Sequence, residues 1–142
     1  MNNSNLVFCY GSLKQGYWNF DRYLLNKSRF VGSAITATPE YTLVNMGSYP
    51  GVVSGGKTTI IGEVFEVDDN VLSRLDKLEG HPNWYKRHPI SVKLESGEIV
   101  HAEMYMQDGE KFKYDLHQVI TSGEWVGIKL PSYHELGALC TS

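Results

Sequence analysis

Long apolar runs are missing from this 142-residue chain, and cysteine is scarce: Cys9 and Cys140 are the only two. Two cysteines make no disulfide framework. No stretch approaches the ~20 apolar residues that cross a bilayer as a helix. The opening Met1-Asn2-Asn3-Ser4-Asn5 lacks the basic start and apolar core of a secretory signal. The expectation is a cytoplasmic protein with no membrane association. A basic surplus is missing too. Thirteen Lys and Arg stand against sixteen Asp and Glu, a net charge of −3, so little is available to neutralise a phosphate backbone. Nucleic acid is not an expected partner. Five histidines (His81, His88, His101, His117 and His134) show no ligand spacing, and His134-Glu135 has no second His at the offset a zinc helix needs. No metal site is expected.

What is present describes a globular protein. Hydrophobic residues make up 42% and charged residues 20%, and no repeat, low-complexity tract or linker divides the chain, so residues 1–142 read as one domain. Leu6 to Tyr10 is a short continuous apolar run, which predicts a strand buried on both faces. Asn19 to Leu25 can form a short helix with Asn19 as N-cap. Strands are predicted at Phe30–Thr38, Tyr41–Val44 and Thr59–Val67, with Tyr49–Val53 leading to a Gly55-Gly56 turn. Asp68-Asp69 then caps a helix with Val71, Leu72, Leu75 and Leu78 at helical spacing, ended by Gly80 and Pro82. His88–Leu94 and Ile99–Met106 form a hairpin across Glu95-Ser96-Gly97-Glu98. Lys113–Thr121 and Tyr133–Leu139 read as short helices. Six or seven strands with a few short flanking helices and no βαβ alternation give an α+β class. A mixed sheet that curls or closes into a barrel removes its unpaired edges.

Two stretches carry chemistry. In Leu6–Trp18, LVFCYGSLKQGYW, a buried strand breaks at Tyr10-Gly11-Ser12-Leu13 and feeds a helix. Such a turn leaves backbone N–H groups unpaired and makes a nest suited to a carboxylate or oxyanion, and Gly11 offers no Cβ to keep a ligand away. It is neither a P-loop, since Lys14-Gln15-Gly16 has the wrong spacing, nor a nucleophile elbow, since Ser12 lacks the flanking glycines. In Arg74–Arg87, RLDKLEGHPNWYKR, Glu79 closes a helix just after an apolar residue. The helix C-terminus, together with desolvation by apolar neighbours and Trp84 or Tyr85, would raise its pKa toward that of a general acid–base. Taken alone, each stretch has a plainer reading: a strand-to-helix turn, and a solvated glutamate before a helix stop. Cys9 within its apolar run has one as well, as inert core rather than a nucleophile.

Together the two stretches resemble the gamma-glutamylcyclotransferase-like family, most closely its gamma-glutamylamine cyclotransferase branch. VFCYGSLKQGYWN is similar to the family's strand and Tyr-Gly-Ser/Thr-Leu loop, and LDKLEGHPNWYKR to its Leu-Asp-x-Leu/Phe-Glu segment with a Tyr-x-Arg beyond. SYPGVV, IIGEVFEVDD, HAEMYM and TSGEW keep the same order over about residues 5–126. The resemblance implies a small mixed barrel with a cavity at its mouth, no cofactor, and a small γ-glutamyl substrate. It implies Tyr10, Gly11, Ser12 and Leu13 as substrate loop, Tyr85 and Tyr105 as further cavity lining, and Glu79 as proton-transfer residue. The implied enzyme is a cyclising transferase of amide-lyase type. The substrate's α-amine attacks its γ-carbonyl, closing 5-oxoproline and expelling an amine, with Lys14–Trp18 and Trp84 shaping the rim. Two other readings stay open: a non-catalytic module that binds a small metabolite, and a Cys9-dependent acyl transferase. The identity of the amine and the oligomeric state are not written in these motifs.

Overall fold

In a computed structural model the described residues are 4–127. β1 (Ser4–Cys9) pairs antiparallel with β5 (Ile61–Asp68), which pairs with β2 (Arg29–Thr36). β2 runs against β6 (Lys86–Leu94) and β6 against β7 (Ile99–Met106). A parallel Val7–Glu103 pairing of β1 with β7 closes the five strands into a barrel. β3 (Tyr41–Asn45) and β4 (Pro50–Ser54) form a separate two-stranded ribbon. This is a small α+β domain around a mixed, closed sheet. Among the described residues, no helix is long and apolar enough to cross a membrane.

Strand alternation splits the core in two. Phe8, Val64, Val92 and Met104 are fully buried in one cluster, whereas their neighbours Val7, Cys9, Phe65 and Tyr105 belong to a second. The predicted two-faced burial of the first strand follows from this: one face fills the barrel and the other is covered by helices. α2 (Asp69–Glu79) supplies Val71, Leu72 and Leu75 to the second cluster, with Leu78 packed at its margin. Asp68 caps it through its carboxylate, which accepts from the Val71 N–H at 2.8 Å. Gly80, at φ 67°, turns the chain out of the helix, and the His81 N–H returns to the Asp76 carbonyl at 2.9 Å. At the far end of the barrel, Gly97 at φ 93° makes the β6–β7 hairpin, donating to the Leu94 carbonyl at 2.9 Å.

Two expectations need correction. α1 is Trp18–Tyr23 with Tyr17 at its N-cap and no side-chain cap, because the Asn19 amide is used elsewhere, donating to Ser12 Oγ at 2.7 Å. The predicted helix at 113–121 shrinks to a single 3₁₀ turn, Leu116–Gln118. Its Asp115 and Gln118 form a reciprocal cap, after which Val119 turns extended and bridges to Val44. The helix expected at Tyr133–Leu139 lies outside the described residues, as does Cys140.

Candidate active site

A cavity of about 300 Å³ opens at the C-terminal end of β1, where the two hydrophobic clusters meet. Five pieces of chain wall it: Phe8 to Leu13, Asn19, Tyr49-Pro50, the end of α2 with Trp84 and Tyr85, and Tyr105. All seven site residues expected from the sequence stand on it: Glu79, Tyr10, Gly11, Ser12, Leu13, Tyr85 and Tyr105. Their convergence has local causes. The Lys14 N–H donates to the Gly11 carbonyl at 3.0 Å, so the loop folds on itself as it leaves the barrel. Among the described residues, the amides of Gly11, Ser12 and Leu13 donate to no protein acceptor. Beyond α2, the Trp84 N–H returns to the Gly80 carbonyl at 2.8 Å and the Tyr85 N–H to the Glu79 carbonyl at 3.1 Å. Those two bonds fold both aromatic residues back beside Glu79.

Glu79 is the chemically distinctive group. Burial pushes its carboxyl from the ordinary 4.5 up to about 7. Desolvation alone accounts for the rise, and among the described residues no side chain forms an ion pair or hydrogen bond with its carboxylate. A carboxyl with that pKa is divided between its two protonation states near neutral pH, so it can accept a proton in one step and return it in the next.

Three of the four tyrosines on the cavity wall have their hydroxyl protons already committed. Tyr10 donates to the Tyr105 carbonyl, Tyr85 to the Pro50 carbonyl and Tyr105 to Asp76 Oδ1, each at 2.6 Å. Burial is the main reason all three phenols are pushed above their ordinary value, and the nearby Glu79 charge adds to it. They stay neutral and act as walls. Behind Tyr105, Arg87 grips Asp76 with Nε at 2.6 Å and a second nitrogen at 3.1 Å, and it also approaches Glu103 at 3.5 Å. Burial opposes ionisation of Asp76, but the hydrogen bonds from Arg87 and Tyr105 and the Arg87 charge together hold its carboxyl below the usual range.

Gly11 has a reason the sequence did not disclose. A Cβ there would lie 2.8 Å from Cγ and Cδ of Pro50, so the close approach it permits is that of the ribbon as well as of any ligand. Lys14 and Tyr17 are not on the cavity rim. Both are buried, and Lys14 Nζ donates to the Trp125 carbonyl at 2.8 Å while the Tyr17 ring packs against Trp125. Cys9 does line the cavity, but burial first, and then the charges of Glu79 and Glu63, push its thiol well up, opposite to what a nucleophilic thiolate needs. Tyr49, Pro50 and Asn19 were not expected at the site from the sequence. Their place depends on the ribbon and α1 docking on the barrel mouth, which no local pattern encodes.

A family model described as "Gamma-glutamyl cyclotransferase, AIG2-like" matches residues 7–127. A Methanocaldococcus jannaschii protein provisionally named a gamma-glutamylcyclotransferase is 45% identical over 100 residues, 70% of this chain and 81% of that one. Gammaglutamylaminecyclotransferase C of Danio rerio is 36% identical over 112 residues, 70% of this chain and 72% of its own. The crystal structure of an AIG2-like protein from Mus musculus superposes with a TM-score of 0.71 at 22% identity, over 92% of this chain and 98% of that chain, a likeness of fold.

Proposed function

The chain belongs to the gamma-glutamyl cyclotransferase, AIG2-like family, and on that premise we propose that it converts a γ-glutamyl amide into 5-oxoproline and a free amine, with Glu79 moving the proton. The observation that carries the proposal is a carboxyl of pKa about 7 on the wall of the cavity that the Tyr10–Leu13 loop also lines.

Ring closure asks two things of a protein. The substrate's α-ammonium must lose a proton before its nitrogen can attack the γ-carbonyl, and the departing nitrogen must gain one. Ionised Glu79 takes the first proton and, now neutral, delivers it to the leaving nitrogen as the C–N bond breaks; the second proton, shed by the ring nitrogen as it becomes a lactam N–H, ends on the freed amine, which leaves as an ammonium, so the carboxylate is regenerated in each turnover. Because the nucleophile and the carbonyl belong to one molecule, holding the γ-glutamyl chain folded is itself a large part of the catalysis. Well-oriented intramolecular reactions reach effective molarities of ~10⁵ M or more. The Gly11, Ser12 and Leu13 amides, together with the Asn19–Ser12 hydrogen bond that braces their loop, suit the role of holding the substrate's carboxylate or the oxyanion that forms at the γ-carbon.

The test is mass-spectrometric detection of 5-oxoproline from purified protein and a panel of γ-glutamyl amines and dipeptides, with Glu79→Gln run in parallel. Product from the wild type and none from the folded variant is the expected result. Ligand bound but unchanged by the wild type would overturn the enzymatic reading in favour of a binding module. Equal turnover by Glu79→Gln would overturn the role given to that residue.

A further inference from the structure

Resting on the cyclotransferase reading for the identity of the ligand, we infer that Asn19 is a positioning residue. Its side-chain amide donates to Ser12 Oγ and so keeps the Ser12 hydroxyl proton for the substrate's α-carboxylate. Both residues line the cavity that Glu79 also lines. Two successive turns bring them together. The Lys14 N–H returns to the Gly11 carbonyl at 3.0 Å and the Tyr17 N–H to the Lys14 carbonyl at 3.2 Å. On the outer side, Glu63 Oε1 of the barrel accepts from the Gln15 N–H at 2.7 Å. The chain thus doubles back, and Asn19, in the first turn of α1, meets Ser12 with Nδ2 2.7 Å from Oγ.

The direction of that bond decides what Ser12 can do. A serine hydroxyl has one proton and two lone pairs, and it rotates to donate or accept as its neighbours require. An amide nitrogen does not accept, so the Ser12 proton has to point away from Asn19. Among the described residues it reaches no protein acceptor. The amides of Gly11, Ser12 and Leu13 are in the same condition. The hydroxyl therefore joins them as a donor with a ligand left to receive it. A hydroxyl that is accepting one hydrogen bond becomes a better donor of the next, and donation to a charged oxygen is among the stronger hydrogen bonds. The ligand group that matches is an acceptor-only anion, and the γ-glutamyl chain carries one in its α-carboxylate. Asn19 contributes no contact of its own to this anion. It acts by fixing which way Ser12 faces.

The experiment makes Asn19→Asp and Ser12→Ala in the full chain, alone and combined, and follows 5-oxoproline formation from the best γ-glutamyl amide of the panel. Aspartate keeps the shape of asparagine but, once ionised, only accepts, so it would hold Ser12 in place with the bond reversed. Ser12→Ala is expected to raise KM about tenfold with kcat within about twofold of wild type, the signature of a contact made equally in substrate and transition state. Asn19→Asp is expected to raise KM at least as much. In the Ser12→Ala background the same substitution is expected to raise KM no more than about threefold, because no hydroxyl remains to be turned. Asn19→Leu, which only removes the donor, serves if the aspartate variant does not fold, and a raised KM is again expected. An unchanged KM for Asn19→Asp would reduce Asn19 to a brace and overturn the inference. An equal rise in both backgrounds would overturn it as well, in favour of plain repulsion between the new carboxylate and the substrate. An NMR titration with 5-oxoproline, which carries the same carboxylate, reads the same proteins without turnover. If no substrate yields 5-oxoproline but Kd follows the expected pattern, the cyclotransferase reading falls and the role of Asn19 stands. If the wild type neither turns over nor binds, both fall.

Discussion

Asp76 and Glu79 lie three residues apart at the end of one helix, close enough to share a face, and their surroundings are opposite. Around Asp76 the chain assembles donors: a two-pronged Arg87 and the Tyr105 hydroxyl. Around Glu79 it assembles walls, and burial alone moves the carboxyl to about 7. The same functional group becomes a permanent anion that fixes cavity residues in one place and a proton carrier in the other. Two carboxyls whose environments push their pKa values apart have divided the structural and chemical work between them.

The largest effect expected from breaking this contrast is on turnover. Glu79→Gln keeps the shape and removes the proton exchange, so kcat for 5-oxoproline formation should fall by roughly 10²–10⁴-fold while the circular dichroism spectrum stays native. The same substitution has a stability signature whose sign is opposite to that of a paired acid. The folded wild type keeps the Glu79 proton until about pH 7, whereas the unfolded chain releases it near 4.5. Between those values the folded state binds more protons, so its stability falls as pH rises and the loss is complete above about 7. Denaturant unfolding should show the wild type losing up to about 3 kcal/mol between pH 4.5 and 8 through this group, and Glu79→Gln lacking that component.

The contrast can be sharpened from the Asp76 side. Arg87→Met leaves Asp76 without its cation, and the exposed negative charge should raise the Glu79 pKa, by about half a unit at the screening expected near a protein surface. Asp76→Asn leaves Arg87 with Glu103 alone and should lower the Glu79 pKa by a similar amount. A ¹³C NMR titration of the Glu79 carboxyl in the free protein reads both shifts directly, and movement in the same direction would contradict the arrangement described. Each variant should also unfold about 2 kcal/mol more easily, since the pair is largely shielded from solvent. The smallest effect concerns the loop opposite. Gly11→Ala forces its Cβ onto Pro50, which should cost about 1 kcal/mol in thermal stability and show as a raised KM when the ribbon is displaced.

Much of this was legible in the chain. The apolar run before Tyr10 announced a strand with two buried faces, and the barrel interior and helix-covered exterior explain both. The Asp68 cap, the Gly80 stop and the β6–β7 turn were local signals and formed where local signals act. Glu79 could be singled out because its position at a helix end, after Leu78 and ahead of Trp84 and Tyr85, foretold burial. Asn19 misled because a good capping residue was drawn away by Ser12, seven positions back. Residues 113–121 misled because, beyond one 3₁₀ turn, the segment runs extended and Val119 bridges to Val44 of β3.

What the sequence determined by itself is whatever depends on neighbours within a turn or two: strand and helix positions, caps, the glycine stops, and the order of motifs that marks the family. Only the tertiary structure decided which strand closes the barrel, that Pro50 of a separate ribbon packs on Gly11, and that Arg87 reaches Asp76 while, among the described residues, no side chain pairs with the Glu79 carboxylate. Those outcomes depend on which surfaces exclude water from which groups. Desolvation is a property of the packed volume around an atom, and no stretch of sequence contains that volume.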